Sequence, residues 1–216
     1  VLIQDSLDKV VLFGGENLLN KIDVEIKDGT LIIENLNKCA FLRSYNKKVK
    51  VEIHFTSLDD MEYYGTDSLT NKGTLNLSWF LFKILGGSSS VKLNMNADMV
   101  YAYSAGYSDF TFTGTANYAN LVVNSNSYCD TYGLNLNDSL TVISNTVGLI
   151  KVNANQLDLR TDIKKSGSIW YKGAPVIQTY NRYGTGELLD KNWESDTFNT
   201  KEHIRKGTKE HKISFM

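Results

Sequence analysis

The sequence predicts an all-β protein, a right-handed parallel β-helix with an N-terminal hairpin cap and a C-terminal tail, and three observations lead there. The first is composition: one Pro stands against 16 Gly, 12 Tyr and 9 Phe, and Asn, Ser and Thr recur between nearly every pair of apolar residues. Aromatic and β-branched side chains fit a pleated surface, whereas Asn and Gly fit tight turns. The second is alternation of apolar and polar residues over runs of four or five, the mark of half-buried strands. The third is an internal repeat, which outranks any local signal because it sets the whole architecture.

From Gly86 the chain divides into segments 86–106, 107–127, 128–148, 149–167 and 168–186, of 21, 21, 21, 19 and 19 residues. Each holds two short alternating runs, such as Leu93/Met95 with Met99/Tyr101, or Val152 with Leu157/Leu159. A small or amide residue such as Gly114, Asn137 or Gly173 lies between the runs, where a sharp corner needs left-handed backbone. Two strands and two corners per unit describe one coil of a solenoid. The interior is predicted to hold Leu93, Met95, Leu121, Val123, Leu134, Leu136, Val142, Val152, Leu157 and Leu159. A β-sandwich would give neighbouring segments no reason to share a template, and a propeller blade needs about 40 residues. The crossover rule for parallel strands makes the winding right-handed.

Earlier segments carry the pattern with more slippage. Residues 48–67 place Val49, Val51, Ile53 and Phe55 on one face, and residues 68–87 do the same with Leu75, Leu77 and Trp79. Val24 to Glu34, around the turn Lys27-Asp28-Gly29-Thr30, reads as a hairpin that would cover the first coil. A terminal coil needs such cover, since it offers unpaired backbone groups and an open apolar interior. The domain is therefore placed at 1–190, with 191–216 as a C-terminal tail or cap whose Trp193, Phe198, Ile204, Ile213 and Phe215 are too irregularly spaced for a coil.

Several function classes lose their support at this stage. With 23 basic and 24 acidic side chains, the net charge of -1 lacks the basic excess that nucleic-acid binding uses. No run of about 18 apolar residues occurs to form a transmembrane helix. A chain beginning at Val1 rather than Met is expected to have lost an upstream piece, the place a targeting signal would occupy. Cys39 and Cys129 fall about four coils apart, roughly 19 Å at strand spacing, beyond the ~7 Å reach of a disulfide, so two buried free thiols are expected.

A D-G hairpin, Gly-ended coils, an aromatic-Tyr-x-Gly-x-Pro motif and a closing Gly-x-Gly occur in that order. Here they are Asn17-Leu18-Leu19 and Asp28-Gly29-Thr30-Leu31, then Ile169-Trp170-Tyr171-Lys172-Gly173-Ala174-Pro175, and last Gly184-Thr185-Gly186. In these features the sequence resembles the auto-transporter adhesin family known as the head GIN domain, over roughly residues 10 to 190. It departs where that family shows Ser-Gly-Ser-Gly corners, having Tyr64-Gly65-Thr66, Gly86-Gly87-Ser88 and Asn124-Ser125-Asn126 instead. The resemblance implies a β-helix of the bacterial cell envelope, periplasmic or at the cell surface. It brings no catalytic residues and no cofactor.

Residues able to do chemistry are sparse. Asp158, Arg160 and Asp162 share the outward face of one strand, with the two carboxylates roughly 13 Å apart, outside the ~5 to 9.5 Å of glycosidase pairs. Asp59 and Asp60 are adjacent and are expected at a turn, and His54 points outward alone. Glu202-His203 and Glu210-His211 lack the spacing of a helical zinc pair. No nucleophile elbow or phosphate loop is present. The candidate ligand-binding residues are Tyr107 and Tyr128, which fall at one template position in successive coils with Asp109 and Asp130 alongside. Stacked inward they would stabilise a corner; exposed, they would offer a platform for a sugar ring. The expected activity is thus non-enzymatic binding of glycan or a cell-surface protein. A polysaccharide-acting enzyme and a structural spacer or oligomerisation module are the alternatives.

Overall fold

The computed structural model describes residues 1–37 and 49–192. Cys39 and the proposed tail from Trp193 onward, with His203 and His211, lie outside the described residues. In chain order the elements are β1 (Leu2–Gln4), β2 (Lys9–Phe13), α1 (Glu16–Leu19), β3 (Ile22–Lys27), β4 (Thr30–Asn35), β5 (Lys50–Phe55), β6 (Asp60–Tyr63), β7 (Ser68–Lys72), β8 (Leu75–Leu85), β9 (Ser90–Ala105), β10 (Asp109–Ser125) and β11 (Tyr128–Thr146). They continue with β12 (Ile150–Asn153), β13 (Asp158–Ile163), β14 (Ile169–Lys172), β15 (Ile177–Arg182) and β16 (Leu188–Asp190). Strand accounts for 67% of the described residues, wound into a parallel β-solenoid of about 7 turns.

Each rung has two faces. The first runs β7, the opening halves of β9, β10 and β11, then β12, β14 and β16; the second runs β6, β8, the closing halves of β9 to β11, then β13 and β15. All ten residues predicted for the interior are buried. Phe80, Phe82, Phe110 and Phe112 are the largest fully buried side chains, with Phe80 and Phe82 stacked at 5.5 Å between centroids and Phe110 tilted on Phe112 at 5.1 Å. Offset and tilted ring pairs add attraction beyond their buried area.

The alternation changes phase at one corner, which the sequence reading did not anticipate. Successive inward residues there are Leu77 and Phe80, Ala97 and Val100, Ala116 and Ala119, and Leu136 and Leu140. In the first three pairs two outward residues intervene, which reverses the phase; in the longer rung three intervene between Leu136 and Leu140, and the phase is kept. Trp79, Met99 and Tyr101, read as belonging to the inward set, therefore face outward, and Phe80, Val100 and Ala102 replace them inside.

The N-terminal end departs from the repeat. β1 is inserted between β5 and β7, pairing parallel with both: Leu2 with Ile53 and with Asn71. On the second face β6 pairs directly with β8. β2 closes the outer edge of β5 as an antiparallel strand. The hairpin β3–β4 forms around Asp28 and Gly29, whose φ of 51° and 79° suit a type I′ turn, and it makes a separate two-stranded sheet. Its Ile26 is 78% exposed.

Side-chain amides continue the ladder where strands stop. Gln4 donates from Nε2 to the Asn76 carbonyl at 2.9 Å and accepts the Asn76 N–H at Oε1 at 2.7 Å. Asn71 does the same with Asn94 at 3.0 and 2.8 Å, and Asn192 with Gly173 at 2.9 and 2.7 Å. Each satisfies two backbone groups that a turn would otherwise strand.

Candidate functional site

The corner phase shift aims a set of large side chains at solvent on the second face. In register across rungs stand Trp79, Met99, Tyr118 and Ser139; then Leu81, Tyr101, Asn120 and Thr141; then Lys83, Tyr103, Val122 and Ile143. Trp79 is 48% and Tyr118 is 40% exposed. The remaining side chains are half-buried, as neighbours on a flat sheet shade one another, and Ser139 and Thr141 begin the less apolar part. The next rung reads Asp158, Arg160 and Asp162 in the same three columns, so the apolar surface ends there. On the N-terminal side it ends at a polar border, where Lys83 donates to Glu62 at 2.8 Å and the Tyr64 hydroxyl donates to the other Glu62 oxygen at 2.9 Å. Lys83 and Tyr64 together hold the Glu62 carboxyl below its ordinary range, and the Asp138 carboxylate raises the Tyr118 hydroxyl.

Tyr107 and Tyr128 lie at the opposite corner and are 67% and 52% exposed, so neither is packed inside. They are not in one column. Tyr128 pairs with Asp109, and Asp130 with Thr111, because the repeat between these rungs is 19 residues rather than 21. The two rings are thus offset by two positions and form no continuous stack in register.

The other singled-out groups are structural. His54 is not alone: its Nδ1 lies 2.8 Å from Asp5 Oδ2, and its Nε2 lies 3.9 Å from Glu52. Lys50 and Lys72, both 2.8 Å from Glu52 Oε1, hold that carboxyl down to about 2. Asp162 on β13 accepts from Asn181 at 2.9 Å, and Asp60 begins β6. Cys129 is buried, which pushes its thiol well up. Among the described residues no group of three or more His, Cys, Asp or Glu could hold a metal ion, and no helix is long and apolar enough to cross a membrane.

Sequence reasoning missed Trp79, Tyr101, Tyr103 and Tyr118, although a signal was present. Leu77-Ser78-Trp79-Phe80, Ala97-Asp98-Met99-Val100 and Ala116-Asn117-Tyr118-Ala119 repeat one motif: inward, polar corner, bulky outward, inward.

Comparison with known proteins agrees with this architecture. A crystal structure of a putative adhesin from Bacteroides fragilis superposes with a TM-score of 0.80 at 23% identity, covering 88% of this chain and 86% of that one. One of a putative adhesin from Parabacteroides distasonis gives 0.55 at 20% identity, covering 88% and 87%. One described as a putative lipid binding protein, also from Parabacteroides distasonis, gives 0.58 at 20% identity, covering 87% of each. At these identities the likeness speaks for the fold. No curated protein matches the sequence. The profile of the family described as putative auto-transporter adhesin, head GIN domain, matches residues 1–175, and the chain belongs to that family.

Proposed function

We propose that this chain is a non-enzymatic adhesion domain of the bacterial cell envelope that holds a protein partner against the second face of its solenoid. One observation carries the reading: aromatic and aliphatic side chains, among them Trp79, Leu81, Tyr101, Tyr103, Tyr118 and Val122, stand outward side by side on three consecutive rungs of a fully formed core. A contiguous apolar patch bordered by polar groups is the usual mark of an interaction surface, and Trp, Tyr and Met are enriched in the centres of such surfaces. The parallel rungs hold these side chains in fixed columns, so little ordering cost remains to be met on binding. The aliphatic members favour a protein surface over a sugar ring, which an aromatic platform alone would suit. Tyr107 and Tyr128, at the far corner, would extend the contact. Family membership supports both the adhesive role and a surface location.

Binding of the purified domain to immobilised extracellular-matrix proteins and mucin, measured by surface plasmon resonance, tests this. Substituting Trp79, Tyr101 and Tyr118 together by Ser is expected to abolish binding while the melting temperature stays within a few degrees. Binding that survives the triple variant would remove the second face from the role. Since one structural relative is described as lipid binding, neutral vesicles form a second arm, and capture by vesicles but by no protein would replace the partner proposed here. Turnover of a polysaccharide that disappears on replacing Asp158 and Asp162 by Ala would overturn the non-enzymatic reading.

A further inference from the structure

A groove opens on the corner between the first and second faces, and it arises from a mismatch in rung length. Between register-matched positions β11 takes nine steps, from Asp130 to Ser139, whereas β10 takes seven from Thr111 to Tyr118 and the following rung takes seven from Lys151 to Asp158. The surplus enters at two breaks in the β10–β11 register, between Thr111 and Thr113 and between Ala116 and Tyr118. A rung two residues longer than its neighbours must push its corner outward. The shorter corner that follows cannot fill the space, and an open cavity of about 300 Å³ remains.

Asn135, Leu136 and Asn137 line it from the long rung, and Asn153, Asn155 and Gln156 from the short one. Part of this amide capacity is used internally. Asn153 donates to Asn135 Oδ1 at 2.9 Å, Asn137 donates to Asn117 Oδ1 at 2.9 Å, and Asn155 Oδ1 accepts the Ala174 N–H at 3.4 Å. These bonds hold the side chains in place. Among the described residues, Asn135 Nδ2, Asn137 Oδ1, Asn155 Nδ2 and both ends of the Gln156 carboxamide make no hydrogen bond within the chain.

Gln156 adds a second observation. Its φ of 59° lies in the left-handed region that glycine occupies at lower cost, yet the residue here carries a long carboxamide into the groove. No charged side chain lines the cavity, and the nearby Lys151 and Lys172 ammonium groups lie over the Tyr132 ring at 5.7 and 4.6 Å. Carboxamides that offer both donors and acceptors, without charge and beside one apolar residue, suit a ligand whose hydroxyls also donate and accept. A carboxylate or phosphate would find no counter-charge in the lining.

We infer that this groove is a binding site for a neutral saccharide, separate from the protein-binding face. The test is titration calorimetry of the whole chain with gluco-, manno- and N-acetylglucosamine hexasaccharides, and with a galacturonate hexamer as the charged control. A neutral hexasaccharide is expected to bind, with Asn155→Ala weakening it at least tenfold. Gln156→Gly should weaken it similarly while leaving the melting temperature unchanged or higher, because glycine relieves the left-handed backbone. Shifts in the carboxamide NH₂ resonances of Asn135 and Asn155 on adding the sugar would locate it independently of either variant. Absence of binding by every neutral sugar at millimolar concentration, equal binding in both variants, or binding of the galacturonate hexamer alone would overturn the proposal. The triple Ser variant of Trp79, Tyr101 and Tyr118 should retain sugar binding, so failure of the protein-binding reading and failure of this one give different results.

Discussion

The middle of the solenoid and its N-terminal end meet the same stacking requirement in different ways. In the middle, β9, β10 and β11 are neighbours both in sequence and in space, and every rung is paired with the one just made. At the N-terminal end the order across the first face is β2, β5, β1, β7, so Leu2 pairs with Ile53 and Asn71, 51 and 69 positions away. Closing such separations costs chain entropy that short-range rungs do not meet. The middle therefore draws its stability from a local, repeated contact, whereas the N-terminal end depends on a single inserted strand. In a solenoid, where each rung touches only its neighbours, the two regions should be separable by substitution.

The largest effect should come from the middle. Phe112 is fully buried and packs its ring against Phe110 and Phe82, with centroids 5.1 and 6.0 Å away. Phe112→Ala is expected to cost about 3–5 kcal/mol through lost burial and the cavity left behind. Chemical denaturation checks this. A loss confined to the N-terminal rungs would show that the middle does not act as one unit.

Leu2→Ala comes next. Leu2 is buried between two rungs that meet only through β1 on the first face. About 2–4 kcal/mol should be lost, and hydrogen exchange should show β5 and β1 deprotected while β10 and β11 stay protected. Uniform loss of protection along all rungs would erase the contrast between the two regions.

The smallest effect concerns the charge cluster on the outer side of that end. Lys50 and Lys72 hydrogen-bond Glu52 and hold its carboxyl at about 2, below its ordinary value of 4.5. A carboxyl with a lowered folded value contributes stability that is complete above the ordinary value and is lost as pH falls through the folded one. The N-terminal rungs should therefore weaken as pH drops from about 4.5 toward 2. Glu52→Gln should flatten that dependence, leaving a smaller residual slope from Asp5, whose carboxyl is also lowered, first by the Ser6 N–H and then by His54. Thermal melts of both proteins across this range provide the measurement.

Much of the solenoid was legible in the sequence because a repeated local rule wrote it many times. Alternation placed all ten predicted side chains in the interior, and Asp28-Gly29 alone specified the hairpin turn. What decided the candidate surfaces was less visible. The coil cut of 21 residues put Tyr107 and Tyr128 in one column, and a true spacing of 19 separates them, because corners absorb or release residues without changing the strand pattern.

By itself, then, the amino-acid order determined which residues are apolar, how they alternate and where the chain can turn, and with these the strand content and the stacked-rung architecture. Only the tertiary structure decided the insertion of β1, since three residues carry no period and their partners lie far along the chain. It also decided which way Trp79 and Tyr101 face, through the phase change at one corner of their rungs. The amide groove belongs to the same class: it exists because one rung is longer than its two neighbours, a property of pairing between rungs and of no single segment.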